Sequence, residues 1–153
     1  MVPPHRTPRT SPLGTRLPGA VLCLAVAAVH VVDQGGIPGS KDPSYIGVGY
    51  HALEIAAVLA AVLLLAGAVR TGWLLAAGVA LGPILGYVLS RGPGLPDYHD
   101  DVGNWGEPLG VASLVVEGLL LVLALAAPGG LLRRPARAAP GVRQGERARD
   151  ERV

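Results

Sequence analysis

The stretch LGVASLVVEGLLLVLALAA, residues 109–127, decides the class of this chain. It is 19 residues long, carries one ionisable side chain, Glu117, and contains no proline. At about 1.5 Å per residue it nearly spans a hydrocarbon core of ~30 Å. Three further stretches have the same character: residues 17–33, 45–69 and 73–89. The spacing predicts an all-α, four-span antiparallel transmembrane helix bundle over residues 17–127, because backbone groups in lipid must be paired within their own segment. Half of the chain is hydrophobic and 16% is charged. A soluble domain carries about a quarter charged residues, and here the charges crowd into tails and loops.

The charge pattern sets an expected orientation. Arg6, Arg9 and Arg16 precede the first span, Arg70 lies between spans two and three, and an arginine-rich tail follows span four. The opposite loops hold Lys41 and Arg91 against Asp33, Asp42, Asp97, Asp100, Asp101 and Glu107. Positive residues are retained on the cytoplasmic side. Both termini are therefore expected inside a cell (plasma) membrane, with the acidic loops outside. The lone cysteine, Cys23, allows no intrachain disulfide and reads as a small packing residue. A secretory signal is a second reading of residues 21–32, but it lacks a polar stretch before its small residues, and cleavage would leave the other three spans oriented as before.

Residues 1–16 form a Pro- and Arg-rich tail expected to be disordered, and residues 128–153 a basic cytoplasmic tail lying along anionic lipid or disordered. Thr71–Gly72 is the expected turn between spans two and three. Span three carries Gly78, Gly82 and Gly86 at intervals of four, the spacing at which small residues let a second helix approach closely. Pro83 removes one backbone donor and is expected to kink that span. Residues 91–108 make the longest connection, an outer loop dense in glycine, proline and acids in which Tyr98 and Trp105 can sit at the headgroup level.

The run Gly86-Tyr-Val-Leu-Ser-Arg91, then Gly94-Leu-Pro96, then Gly103-Asn-Trp-Gly-Glu-Pro-Leu-Gly110 resembles a pattern in small four-span integral membrane proteins of high-GC Gram-positive bacteria. The resemblance runs from the end of span three to the start of span four and implies the same topology. It carries no activity and no catalytic residue.

The polar side chains inside the spans gather toward one end of each: His30, His51, Glu54, Tyr87, Ser113 and Glu117, with Asp33 at the end of span one. Counted from the outer ends of their helices, Glu54 and Glu117 both lie roughly 12–13 Å deep. With those faces turned inward, all four helices contribute to one outward-opening cavity, over which His99 of the outer loop is placed to close. An ionisable group inside a span costs a few kcal/mol and normally faces the bundle.

Two families of reading follow. In the first, the cluster pairs helices together, and the protein is an interaction or accessory protein of the membrane. In the second, His30, His51, Glu54 and Glu117 hold a metal, a haem or a small ligand. Two glutamates with histidines resemble carboxylate-bridged bundle sites, although His51-x-x-Glu54 reverses the usual order and occurs once. Axial histidines on facing helices are a known way to hold haem, and His30 and His51 are the pair available.

The inner halves of the spans carry no acid, histidine, lysine or arginine, which argues against an ion path through one chain. Nucleophile-elbow, zinc-protease, phosphate-loop and dinucleotide signatures are lacking, so the sequence leans away from an enzyme and specifies no cofactor. The expected partners are the bilayer and either another membrane protein or a second copy. Nothing points to nucleic acid.

Overall fold

A computed structural model describes residues 12–37 and 39–127. They form four helices in up-and-down order: α1 (Pro12–Asp33), α2 (Ser44–Ala66), α3 (Val69–Arg91) and α4 (Pro108–Ala126). All four are long and apolar enough to cross a membrane. Each helix packs on its chain neighbour, α1 closes the ring against α4 and reaches α3 across the bundle, and α2 and α4 stay apart. The fold is the expected all-α four-span bundle. Large apolar side chains such as Val21, Leu24, Ile55, Leu85, Leu119 and Val122 stand exposed on the outside of the helices. A water-soluble domain does not leave apolar surface of that extent, whereas lipid covers it.

The helix ends differ from the expected ones. Helix α1 begins at Pro12, so residues 12–16 of the expected tail are helical; the rest of that tail, and residues 128–153, lie outside the described residues. The turn between α2 and α3 falls at Gly67 and Ala68, and Thr71 and Gly72 belong to α3. Gly67 takes φ 93°, a conformation that glycine enters without a Cβ penalty. Its N–H donates to the Leu64 carbonyl and that of Ala68 to Leu63, the double bond of a Schellman ending. Arg16 completes the cap from the neighbouring helix: its Nε donates to the Leu64 carbonyl and its Nη2 to that of Leu65, both at 2.6 Å. A guanidinium there also meets the negative end of the α2 dipole. An apolar run that continues past Gly67 conceals this break in the sequence.

The end of the bundle that carries this reversal is the turn end; the end bearing residues 34–43 and 92–107 is the loop end. From the turn end upward the interior is dense. Alanines 20, 57, 60, 61, 76, 80 and 124 are almost completely buried, and Trp73, Leu64 and Leu120 fill the space among them. Small residues at a helix contact let backbones approach, which is how lipid-embedded helices gain van der Waals packing. The closest approach is at Gly19, where a Cβ would overlap the Trp73 indole at Cη2 and Cζ3.

The glycine stripe of α3 does not serve that purpose. A Cβ on Gly78, Gly82 or Gly86 would meet nothing within 4 Å, and Gly78 and Gly82 are exposed. The expected close helix contact along that stripe is therefore replaced by open space, while α3 runs unbroken through Pro83.

Toward the loop end the packing gives out. No residue of α2 between Gly47 and Ala57 is buried, none of α3 between Ala80 and Tyr87, and none of α4 before Glu117. Only α1 keeps buried residues from Gly19 to its far end, where His30 and the following Gln34 are enclosed. The bundle is solid in one half and hollow in the other.

Candidate ligand cavity at the loop end

The hollow has a volume of about 550 Å³ and is lined by all four helices and both loops. That size lies within the range of small-molecule sites, ~300–1,000 Å³. Val29, Ile46, Leu53, Pro83 and Leu109 supply apolar wall, and Gly49, Gly82, Gly86 and Gly110 supply wall without side chains. His30, Asp33, Tyr87, Ser113 and Glu117, singled out in the sequence, all line it.

His30 and Glu117 meet at the floor. Glu117 is 1% exposed and accepts a hydrogen bond from the Ser113 hydroxyl one turn earlier on α4, at 2.5 Å. His30 Nδ1 lies 2.9 Å from the Val26 carbonyl. A carbonyl only accepts, so Nδ1 carries a proton, and in a neutral ring Nε2 presents its lone pair. That Nε2 faces Glu117 Oε1 across 3.9 Å, beyond hydrogen-bond reach. The Tyr50 ring stands edge-on to His30 with centroids 5.1 Å apart.

Higher up, the charges pair with each other. Lys41 Nζ is 3.1 Å from Asp33 Oδ2, to which the Tyr50 hydroxyl also donates. Arg91 reaches Ser90 Oγ at 2.9 Å, Asp101 at 3.2 Å and Glu107 at 3.7 Å, with its guanidinium carbon 4.1 Å from the centre of the Tyr87 ring. Glu107 in turn accepts from the N–H groups of Leu109 and Gly110, capping the start of α4 where the helix dipole favours a carboxylate. Gly110 has no side chain because Tyr87, Glu107 and Arg91 occupy its space; a Cβ would lie 2.7 Å from Tyr87 Cε2.

Residues 92–107 roof the cavity. Tyr45 donates to the Pro96 carbonyl at 2.7 Å and Tyr87 to that of Trp105 at 2.6 Å, tying the loop to α2 and α3. Leu95, Tyr98 and Asp101 line the space from above. Burial, with donation of its hydroxyl to Asp101 at 2.8 Å, pushes the Tyr98 phenol up to about 12.

No protein family, curated protein or solved structure matches this chain.

Two expected members lie elsewhere. Glu54 sits on the seam between α2 and α1, where the Gln34 amide donates to it at 2.7 Å. His51 Nδ1 approaches the same carboxylate at 3.4 Å, and the ring is exposed. Neither residue lines the cavity, so His30 and His51 do not face each other across it and the glutamates do not share it. Among the described residues no three His, Cys, Asp or Glu side chains gather as a metal would need. His99 also lies outside the lining: it is exposed and packs on Gly94. Its place in the roof is taken by Tyr98 and Asp101.

Tyr50, Lys41, Arg91 and Glu107 are cavity residues that the sequence alone did not assign. Arg91 had a visible signal, since an arginine at the end of an apolar span beside Ser90 needs local partners. Tyr50 had one too, one turn from Leu53 on the face that turns inward. Lys41 had none, because its position depends on how deep the end of α1 sits beside α2.

Proposed function

We propose that this protein is a multi-pass protein of the cell membrane that holds a small ligand in the loop-end cavity, with both termini in the cytoplasm and the loops outside. The hollow itself supports this reading. A set of polar groups whose only work was to join helices would draw those helices together, as the alanines do at the turn end. Here the loop-end halves of the four helices enclose about 550 Å³ of space whose floor is a buried carboxylate and an imidazole. Burying a charged or polar group without full partners is costly, and such groups in an apolar pocket are commonly kept for a ligand. The arginine distribution supports the orientation.

The Arg91 network and the Gln34–Glu54 contact join elements around the cavity. The test is native mass spectrometry of the protein released from nanodiscs. Wild type is expected to carry a small-molecule adduct, and Gly86→Trp, which places an indole in the hollow, is expected to lose it while staying folded. Wild type without an adduct, or an adduct indifferent to Trp at that position, would count against a ligand cavity.

A further inference from the structure

The lining cations are already engaged. Lys41 is on Asp33, and Arg91 is divided between Asp101 and Glu107. Among the described lining residues both Lys41 and Arg91 have carboxylate partners, with Arg91 Nε alone left buried without a hydrogen-bond partner, and the one carboxylate without a Lys or Arg partner is Glu117 at the floor. Its neighbours are the Ser113 hydroxyl and the His30 ring, whose Nδ1 proton is committed to Val26. Two acceptors, Glu117 Oε1 and His30 Nε2, thus face each other across 3.9 Å. A single atom bearing two hydrogens, at an ordinary ~2.9 Å from each, bridges that span. A metal ion would find no third ligand of its usual kinds among the described residues. An ammonium supplies the hydrogens and the missing positive charge together.

The walls describe the rest of the ligand. Above the floor Val29, Ile46, Leu53, Pro83 and Leu109 form apolar wall below the paired charges Lys41–Asp33 and Arg91–Asp101, and the top is roofed by the loop residues Leu95 and Tyr98. The side is open. Gly49 on α2 and Gly82 on α3 are exposed and line the cavity at once, next to the lipid-facing Val48, Leu81 and Leu85. Gly82 lies nine residues from the end of α3, roughly 13 Å into the bilayer at ~1.5 Å per residue. A gap at that depth faces acyl chains.

We propose that the cavity takes a protonated primary amine with an apolar body, which enters sideways from the loop-side leaflet between α2 and α3 and seats its ammonium between Glu117 and His30. This rests on the ligand-cavity reading above.

The experiment titrates the full chain in nanodiscs with octylamine, octanol, octanoate and ethylamine, each against empty nanodiscs. Octylamine is expected to bind at one site per chain, about tenfold or more tighter than the other three, the usual scale of a charge-assisted hydrogen bond. Glu117→Gln is expected to remove that advantage, bringing octylamine to the level of octanol, and Gly82→Leu to slow octylamine association. The wild-type series decides the matter alone should Glu117→Gln fail to fold. Equal binding of octylamine, octanol and octanoate, abolished by Gly86→Trp, would overturn the amine and leave the cavity reading standing. Ethylamine binding as tightly as octylamine would overturn the apolar body, and an unchanged association rate in Gly82→Leu the sideways path. No binding by any of the four, with no adduct in the wild type, would overturn both proposals.

Discussion

Replacing Gly19 by alanine tests which glycines the bundle needs. The new Cβ would overlap Trp73 Cη2 and lie 2.8 Å from Cζ3 and 3.2 Å from Leu64 Cδ1. Trp73 and Leu64 are both 0% exposed, so the indole cannot swing into open space and either the ring or α1 must shift. Overpacking of this kind costs about 1–3 kcal/mol. The gain in helix propensity, about 1 kcal/mol, offsets part of it and leaves a net loss of roughly 0–2 kcal/mol. At Gly82 the same methyl meets nothing within 4 Å, so only the propensity gain remains and the change should be neutral or slightly stabilising. Detergent unfolding of both variants, followed by circular dichroism, measures the difference. Trp73→Phe in the Gly19→Ala background should recover part of the loss, giving a non-additive double-mutant cycle. Equal stability of the two alanine variants, or a strictly additive cycle, would refute the packing described for the turn end.

Arg16→Gln should destabilise the bundle by about 1–2 kcal/mol in the same unfolding assay, because two carbonyls at the end of α2 lose a charged donor. The Tyr98 phenol is raised from its ordinary value near 10 to about 12 in the folded loop. Its contribution is therefore complete below pH ~10 and lost as the pH climbs toward 12, since the released loop ionises first. A phenolate absorbance titration should show one late-ionising tyrosine that disappears in Tyr98→Phe. A cysteine placed at Asn104 should react with an impermeant thiol reagent on intact cells, and one at Ala68 should not; the native Cys23 is buried and silent. The opposite pattern would reverse the orientation.

Much of the architecture was legible because lipid imposes a simple rule: apolar runs of helical length, with polar residues confined to the ends. The same rule placed His30, Tyr87, Ser113 and Glu117 at one end of the bundle. Register between helices was not legible. Glu54 and Glu117 start at similar depths along their own helices, yet Glu54 turns toward Gln34 and Glu117 toward His30, and only the rotation of α2 decides this. The stripe of Gly78, Gly82 and Gly86 showed that a face of α3 lacks side chains. It could not show whether a neighbouring helix or empty space lies against that face. Gly67 was hidden for a related reason: its neighbours on both sides are apolar, so composition does not change where the chain reverses.

A crystal structure grown from a lipid mesophase at side-chain resolution tests the central claim most directly. The account predicts a hollow among the four helices at the loop end, with non-protein density in it reaching the gap between Glu117 and His30. Helices α2 and α4 in contact, with Gly86 packed against a neighbouring backbone and no space above Glu117, would contradict it.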